Sequence, residues 1–181
     1  MGKISKWVLG AGFALASSII MVNEGVNKRA DGLHHAYQDG AGVWTICYGE
    51  TKGVKKGMTK TDAECEIQLR ESIASHASPL YNLPDSTPKV VILGSLDFAY
   101  NAGVSGFNNS TVRKYLLKGD YDNAGKSVLS WKYITRNGVK YDCSVKGNKV
   151  CYGLWKRRLV QADMIGNKIS VEEALRRLNA L

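Results

Sequence analysis

The chain has 181 residues, room for one domain or for one domain of two lobes around a cleft, and enough length to bury a substantial core. Its 25 Lys and Arg against 16 Asp and Glu leave a net charge of +9, which favours an anionic partner: nucleic acid, a phospholipid surface or an acidic polymer. No internal repeat or low-complexity tract is visible, which excludes solenoids and disordered tails.

Lys3 and Lys6 precede an uncharged run, Trp7 to Val22, with the positive start and apolar middle of an export signal. The run has 16 residues where a stable span needs roughly 20, and Gly10, Gly12, Ala11, Ala14, Ala16, Ser17 and Ser18 dilute it. Three readings compete: a weak uncleaved anchor, a cleaved signal peptide with Ala14-Leu15-Ala16 as its small-x-small site, and a buried soluble helix. The anchor is the reading carried forward, with residues 1–24 as the membrane segment and 25–181 as the functional domain.

From Tyr37 to Gly57 the sequence is rich in glycine and β-formers, with the stretch Val43-Trp44-Thr45-Ile46-Cys47-Tyr48, and predicts a small β-hairpin region. Thr61 and Glu64 form a capping box opening a helix that runs to Pro79. Thr87-Pro88 starts another, which Gly103 should stop. Shorter helices are expected over 110–118, 121–131, 152–165 and 170–179, the last with its own capping box in Ser170 and Glu173. The expected class is α+β, mostly α: a small β-containing lobe, a connecting helix and a larger helical lobe across a cleft.

Four cysteines, Cys47, Cys65, Cys143 and Cys151, allow three pairings. The short separations 47 to 65 and 143 to 151 suggest two local staples, and so an oxidising compartment. None of them forms a CxxC pair, and His34, His35 and His76 lack finger-like spacing, so no metal site is expected.

The stretch Ala36 to Gly49, AYQDGAGVWTICYG, carries the most chemistry. Asp39 on a glycine-bounded turn, with Thr45 six positions on, can place a carboxylate and a hydroxyl together at a cleft edge, where the carboxylate acts as general base on a water that the hydroxyl orients. A turn-forming Asp and a β-forming Thr explain the same residues without chemistry.

This stretch resembles the active-site region of T4-lysozyme-like phage muramidases, whose pattern is Glu, eight residues, Asp, five residues, Thr and an Ile-x-x-Gly strand; Asp39, Thr45 and Ile46 to Gly49 fit it. The resemblance extends through Tyr100-Asn101-Ala102-Gly103, Phe107 to Ser110, the Cys143 and Cys151 pair and Trp155-Lys156-Arg157-Arg158, covering roughly 30–165. The N-terminal run is similar to that of signal-anchor-release endolysins, which implies tethering to the host inner membrane in an inactive form and later escape to the periplasm. The resemblance further implies a lysozyme-like fold, a monomer, peptidoglycan as partner and no cofactor. Thr51, Tyr100 and Ser110 would line the saccharide cleft, although a turn, an aromatic core residue and a helix N-cap explain them equally. Arg157 and Arg158 would meet acidic peptide stems or form a solvated face.

One position departs from the family. With eight residues between it and Asp39 stands Ala30, where the pattern has its catalytic Glu, and alanine donates no proton. Asp31 is one place off, and Glu24 has fourteen residues between it and Asp39. Three explanations stand open: an inactivating replacement at position 30, a shifted carboxylate at Glu24 or Asp31, or a degenerate lysozyme-like binding protein. The chain as written is expected to be acid-deficient. Among other classes, a lytic transglycosylase would use a single Glu without Asp39 and Thr45. A nucleic-acid module would need a signature absent from the basic and aromatic stretch around Trp131 to Trp155.

Overall fold

A computed structural model describes residues 2–24, 28–39 and 42–181, without the side chains of Asn23 and Glu24. The N-terminal run is broken into two helices, α1 (Lys3–Leu9) and α2 (Phe13–Glu24). They meet at a bend of 63°. Ile4, Val8, Ala16, Ile19 and Ile20 are buried in the same apolar cluster as the rest of the chain. The segment expected to stand apart as an anchor therefore completes the core in this conformation. Its small and apolar residues suit either setting, because the same run that tolerates lipid also packs closely under other helices.

The β-region is built of minimal strands. β1 (His34–His35) pairs antiparallel with β4 (Thr59–Lys60), and β2 (Tyr37–Gln38) pairs antiparallel with β3 (Trp44–Thr45). Thr61 then caps α3 (Asp62–Ala77): its hydroxyl accepts the Glu64 N–H while the Glu64 carboxylate accepts the Thr61 N–H. Two orphan donors of the helix start are thereby satisfied. The Cys47–Cys65 disulfide ties the turn after β3 to α3, and Cys143–Cys151 closes the second staple, both as expected.

α4 (Lys89–Asn109) is the central helix, buried almost continuously from Val90 to Ala99. Gly103 was expected to end it. Instead Gly103 adopts φ +77°, a left-handed conformation that favours glycine, and the helix resumes beyond the kink because Phe107 is fully buried. α5 (Thr111–Leu116), α6 (Tyr121–Val128), α7 (Tyr152–Ile165) and α8 (Val171–Leu178) pack around it. Between α6 and α7 runs a hairpin that the sequence reading missed, β5 (Tyr133–Arg136) and β6 (Val139–Asp142), turning at Asn137-Gly138. The architecture is α+β and mostly helical, as expected.

One polar assembly is embedded in this core. Asp97 on α4 is fully buried and accepts hydrogen bonds from Arg157 Nη2 at 2.7 Å and Gln161 Nε2 at 2.6 Å. Arg158 donates to the Trp131 carbonyl, Gln161 Oε1 and Asn101 Oδ1. Both arginines are buried, so neither forms the solvated face considered from the sequence.

Candidate active site

The β2–β3 hairpin positions two of the expected residues. Asp39 closes the turn on itself: Oδ1 accepts the Val43 N–H at 2.9 Å, its own N–H donates to the Val43 carbonyl, and its carbonyl accepts from Gly42 N–H. Gly40 and Ala41 lie outside the described residues. Tyr37 pairs with Thr45 and Gln38 with Trp44, so residues 37, 39, 43 and 45 point to one face of the hairpin. Asp39 and Thr45 are thus diagonal neighbours on that face. Thr45 is buried and its hydroxyl donates to the Val43 carbonyl at 3.1 Å.

The turn that follows is fixed by reciprocal Ile46 and Glu50 backbone bonds. Tyr100 on α4 reaches it, donating from its hydroxyl to the Tyr48 carbonyl at 3.0 Å, while its ring lies 4.6 Å from that of His76. Thr51 is exposed just beyond the turn, its N–H donating to Glu50 Oε1. Ser110 is buried, and its hydroxyl donates to the Phe107 carbonyl and accepts the Arg113 N–H as the N-cap of α5. That hydroxyl is committed to the helix, as the capping reading holds.

Position 30 occupies a different setting. Residues 28–34 form a closed turn: Lys28 bridges to His34, the Arg29 N–H donates to the Leu33 carbonyl and the Gly32 N–H to the Arg29 carbonyl. Ala30 is exposed within it. The buried His34 ring bonds Asp62 Oδ1 at 2.8 Å and Lys28 Nζ bonds Asp62 Oδ2 at 2.6 Å, pinning the turn to the start of α3. Asp31 accepts the Leu33 N–H and a bond from His35 Nε2 at 2.6 Å. The Leu33 N–H first and His35 second hold its carboxyl below the usual range. Such a group stays ionised and is a poor proton donor near neutrality. Glu24 ends α2, and its side chain lies outside the described residues.

Two cavities lie near by, neither of them lined by Asp39 or Thr45. One of about 640 Å³ is lined by Val22 of α2, Asn101 of α4, Leu154 and Arg157 of α7, and Leu178 of α8. A second, of about 370 Å³, is lined by Glu50, Glu71, Ser72 and His76, beside Tyr100. Among the described residues no cluster of His, Cys, Asp and Glu is arranged to hold a metal ion.

The phage lysozyme family model matches residues 28–161. An SAR-endolysin of Escherichia phage N15 is 31% identical over 166 residues, covering 86% of this chain and 90% of its own length. The SAR-endolysin of Bacteriophage PS119 is 29% identical over 164 residues, 87% of this chain and 88% of that protein. Among solved structures, the endolysin from the Escherichia coli O157:H7 phage FAHEc1 superposes with a TM-score of 0.68 at 24% identity, over 86% of this chain and 92% of that one, a likeness of fold.

Proposed function

This chain belongs to the phage lysozyme family, and from that premise we propose that it is a signal-anchor-release endolysin hydrolysing the β-1,4 bond between N-acetylmuramic acid and N-acetylglucosamine in peptidoglycan. The observation that carries the reading is the β2–β3 hairpin, which sets Asp39 and Thr45 on one face next to the Ile46 turn. Asp39 directs a water, oriented by Thr45, to the anomeric carbon, and an acid on the opposite side of the sugar protonates the leaving oxygen, giving inversion. Thr51 and Tyr100 line the saccharide cleft. The enzyme acts as a monomer and needs no cofactor.

We assign the acid to Glu24 in preference to position 30. The turn at 28–34 is a local excursion whose two ends pair, so counting those ends as one position removes six residues from the fourteen between Glu24 and Asp39 and leaves the eight of the family pattern. Glu24 also ends the helix whose Val22 lines the larger cavity. On this assignment Ala30 belongs to an insertion and the chain is active as written.

Turbidity of outer-membrane-permeabilised cells separates the two placements. Glu24→Gln should lose about 10² to 10⁴ in rate, the usual contribution of general acid catalysis, while Ala30→Glu should change it little. An inactive parent restored by Ala30→Glu overturns the assignment and returns the acid to position 30. Anhydro-sugar products would identify a transglycosylase instead.

Residues 1–24 tether the enzyme to the host inner membrane before release to the periplasm. Full-mass protein should pass from the membrane fraction to the soluble periplasm; a stable fragment lacking residues 1–16 would establish a cleaved signal.

A further inference from the structure

Residues 132–150 hold features that the cleft does not use. Among the described residues β5 and β6 pair only with each other, and the Cys143–Cys151 disulfide closes the loop that follows. Within this stretch Lys132 is neutralised by Asp142 at 2.8 Å. The other cations, Arg136, Lys140, Lys146 and Lys149, are exposed and form no ion pair among the described residues. Between them stand apolar side chains that remain in water: Val145 is 57% exposed, Val139 53% and Tyr133 47%. Lys140 Nζ lies 4.3 Å from the centre of the Tyr133 ring on one face of the hairpin, while Arg136 pairs with Val139 on the other, so each face of its free end carries charge beside apolar surface.

We propose that the β5–β6 hairpin and the Cys143–Cys151 loop form a peripheral contact with an anionic phospholipid surface. A merely solvated face has no use for valines between its cations, and a glycan strand offers hydroxyls and carboxylates but little apolar matter. A bilayer of anionic lipids presents phosphates to the cations and, directly beneath them, an apolar layer for the valines, while a Tyr ring suits the boundary. Juxtaposed basic residues are each worth about fivefold in binding to such a surface. The contact is separate from residues 1–24 and does not depend on the assignment of the catalytic acid.

The test is co-sedimentation of the full chain with vesicles of phosphatidylethanolamine and phosphatidylglycerol, and with vesicles of phosphatidylcholine alone, which report the contribution of the N-terminal segment. The double variant Arg136→Glu with Lys140→Glu should lose more than about tenfold on anionic vesicles and nothing on neutral ones. Lys55→Glu with Lys56→Glu changes the net charge equally at exposed positions elsewhere and should lose far less. Val139→Ser with Val145→Ser should weaken anionic-vesicle binding while its salt dependence persists. Equal losses in the two charge variants would reduce the effect to net charge and overturn the proposal. Unchanged vesicle binding, with binding to isolated sacculi reduced instead, would overturn it in favour of a wall contact. Neither outcome bears on muramidase activity, which the turbidity assay reads separately.

Discussion

Asp97→Ala should cost about 3–5 kcal/mol of folding stability, the range for removing one partner of a buried ion pair. The carboxylate is fully buried, accepts from both Arg157 and Gln161, and faces an arginine whose side chain is only 9% exposed. Its removal strands a guanidinium and an amide in the interior. The strain spreads to Arg158, whose guanidinium burial and Arg157 push down and Asp97 supports. Against a typical domain stability of about 5–15 kcal/mol the loss is severe, corresponding to a fall in Tm of roughly 6–20 °C for a chain of this size. Urea unfolding followed by circular dichroism, with disulfides intact, should show a lower midpoint at unchanged slope. Replacing Asp97 and Arg157 together by Leu and Met should recover part of the loss, because no charge is then left unpaired. A loss below about 1 kcal/mol for Asp97→Ala would refute the reasoning and show that water from the adjacent cavity solvates Arg157 at little cost.

Three further outcomes are expected. Gly12→Ala places a methyl 2.7 Å from the Trp7 ring, so it should destabilise the folded protein by about 1–3 kcal/mol in a thermal melt while leaving the membrane-fraction yield unchanged. Lys132 and the Ser144 hydroxyl hold the Asp142 carboxyl down at about 2 from the usual 3.8, so this pair supports the fold above about pH 4 and is lost as pH falls toward 2; Asp142→Asn should flatten the acid limb of a pH–stability curve in that window and leave the slope near pH 7 alone. Replacing Cys143 and Cys151 by Ser should cost about 2–3 kcal/mol, the loop-closure value for a separation of 8, measured by chemical denaturation beside a non-reducing peptide map that confirms the pairing in the parent.

Helix starts were legible because their signals are local. Thr61 with Glu64 and Ser170 with Glu173 mark α3 and α8, and α7 spans Tyr152–Ile165 as read. Gly103 was correctly read as a break and wrongly as an end, since only the burial of Phe107 draws the chain back into a helix. The β5–β6 hairpin had its signal in Asn137-Gly138 between two short β-forming stretches, but Arg136 and Lys140 interrupt the apolar alternation beside the turn. Residues 7–22 carried no pattern separating lipid from protein, because both accept an uncharged run of apolar and small residues. At the candidate site, the placement of Asp39 and Thr45 on one hairpin was legible through turn chemistry. On the proposed assignment to Glu24 the acid escapes any spacing rule, because counting residues measures contour length, and the Lys28 to His34 bridge with its Asp62 tie shortens that contour.

The residues that bend into α1 and α2 are also, as one straight stretch from Lys3 to Val22, a candidate membrane span. They cannot occupy both places at once. Ile19 and Ile20 either face lipid tails or sit beneath the helices that bury them here. On the proposed tethering, each molecule that leaves the bilayer fills its own vacant core and becomes one more competent hydrolase, so the timing of lysis is metered by the rate of membrane exit, without a separate inhibitor protein to titrate.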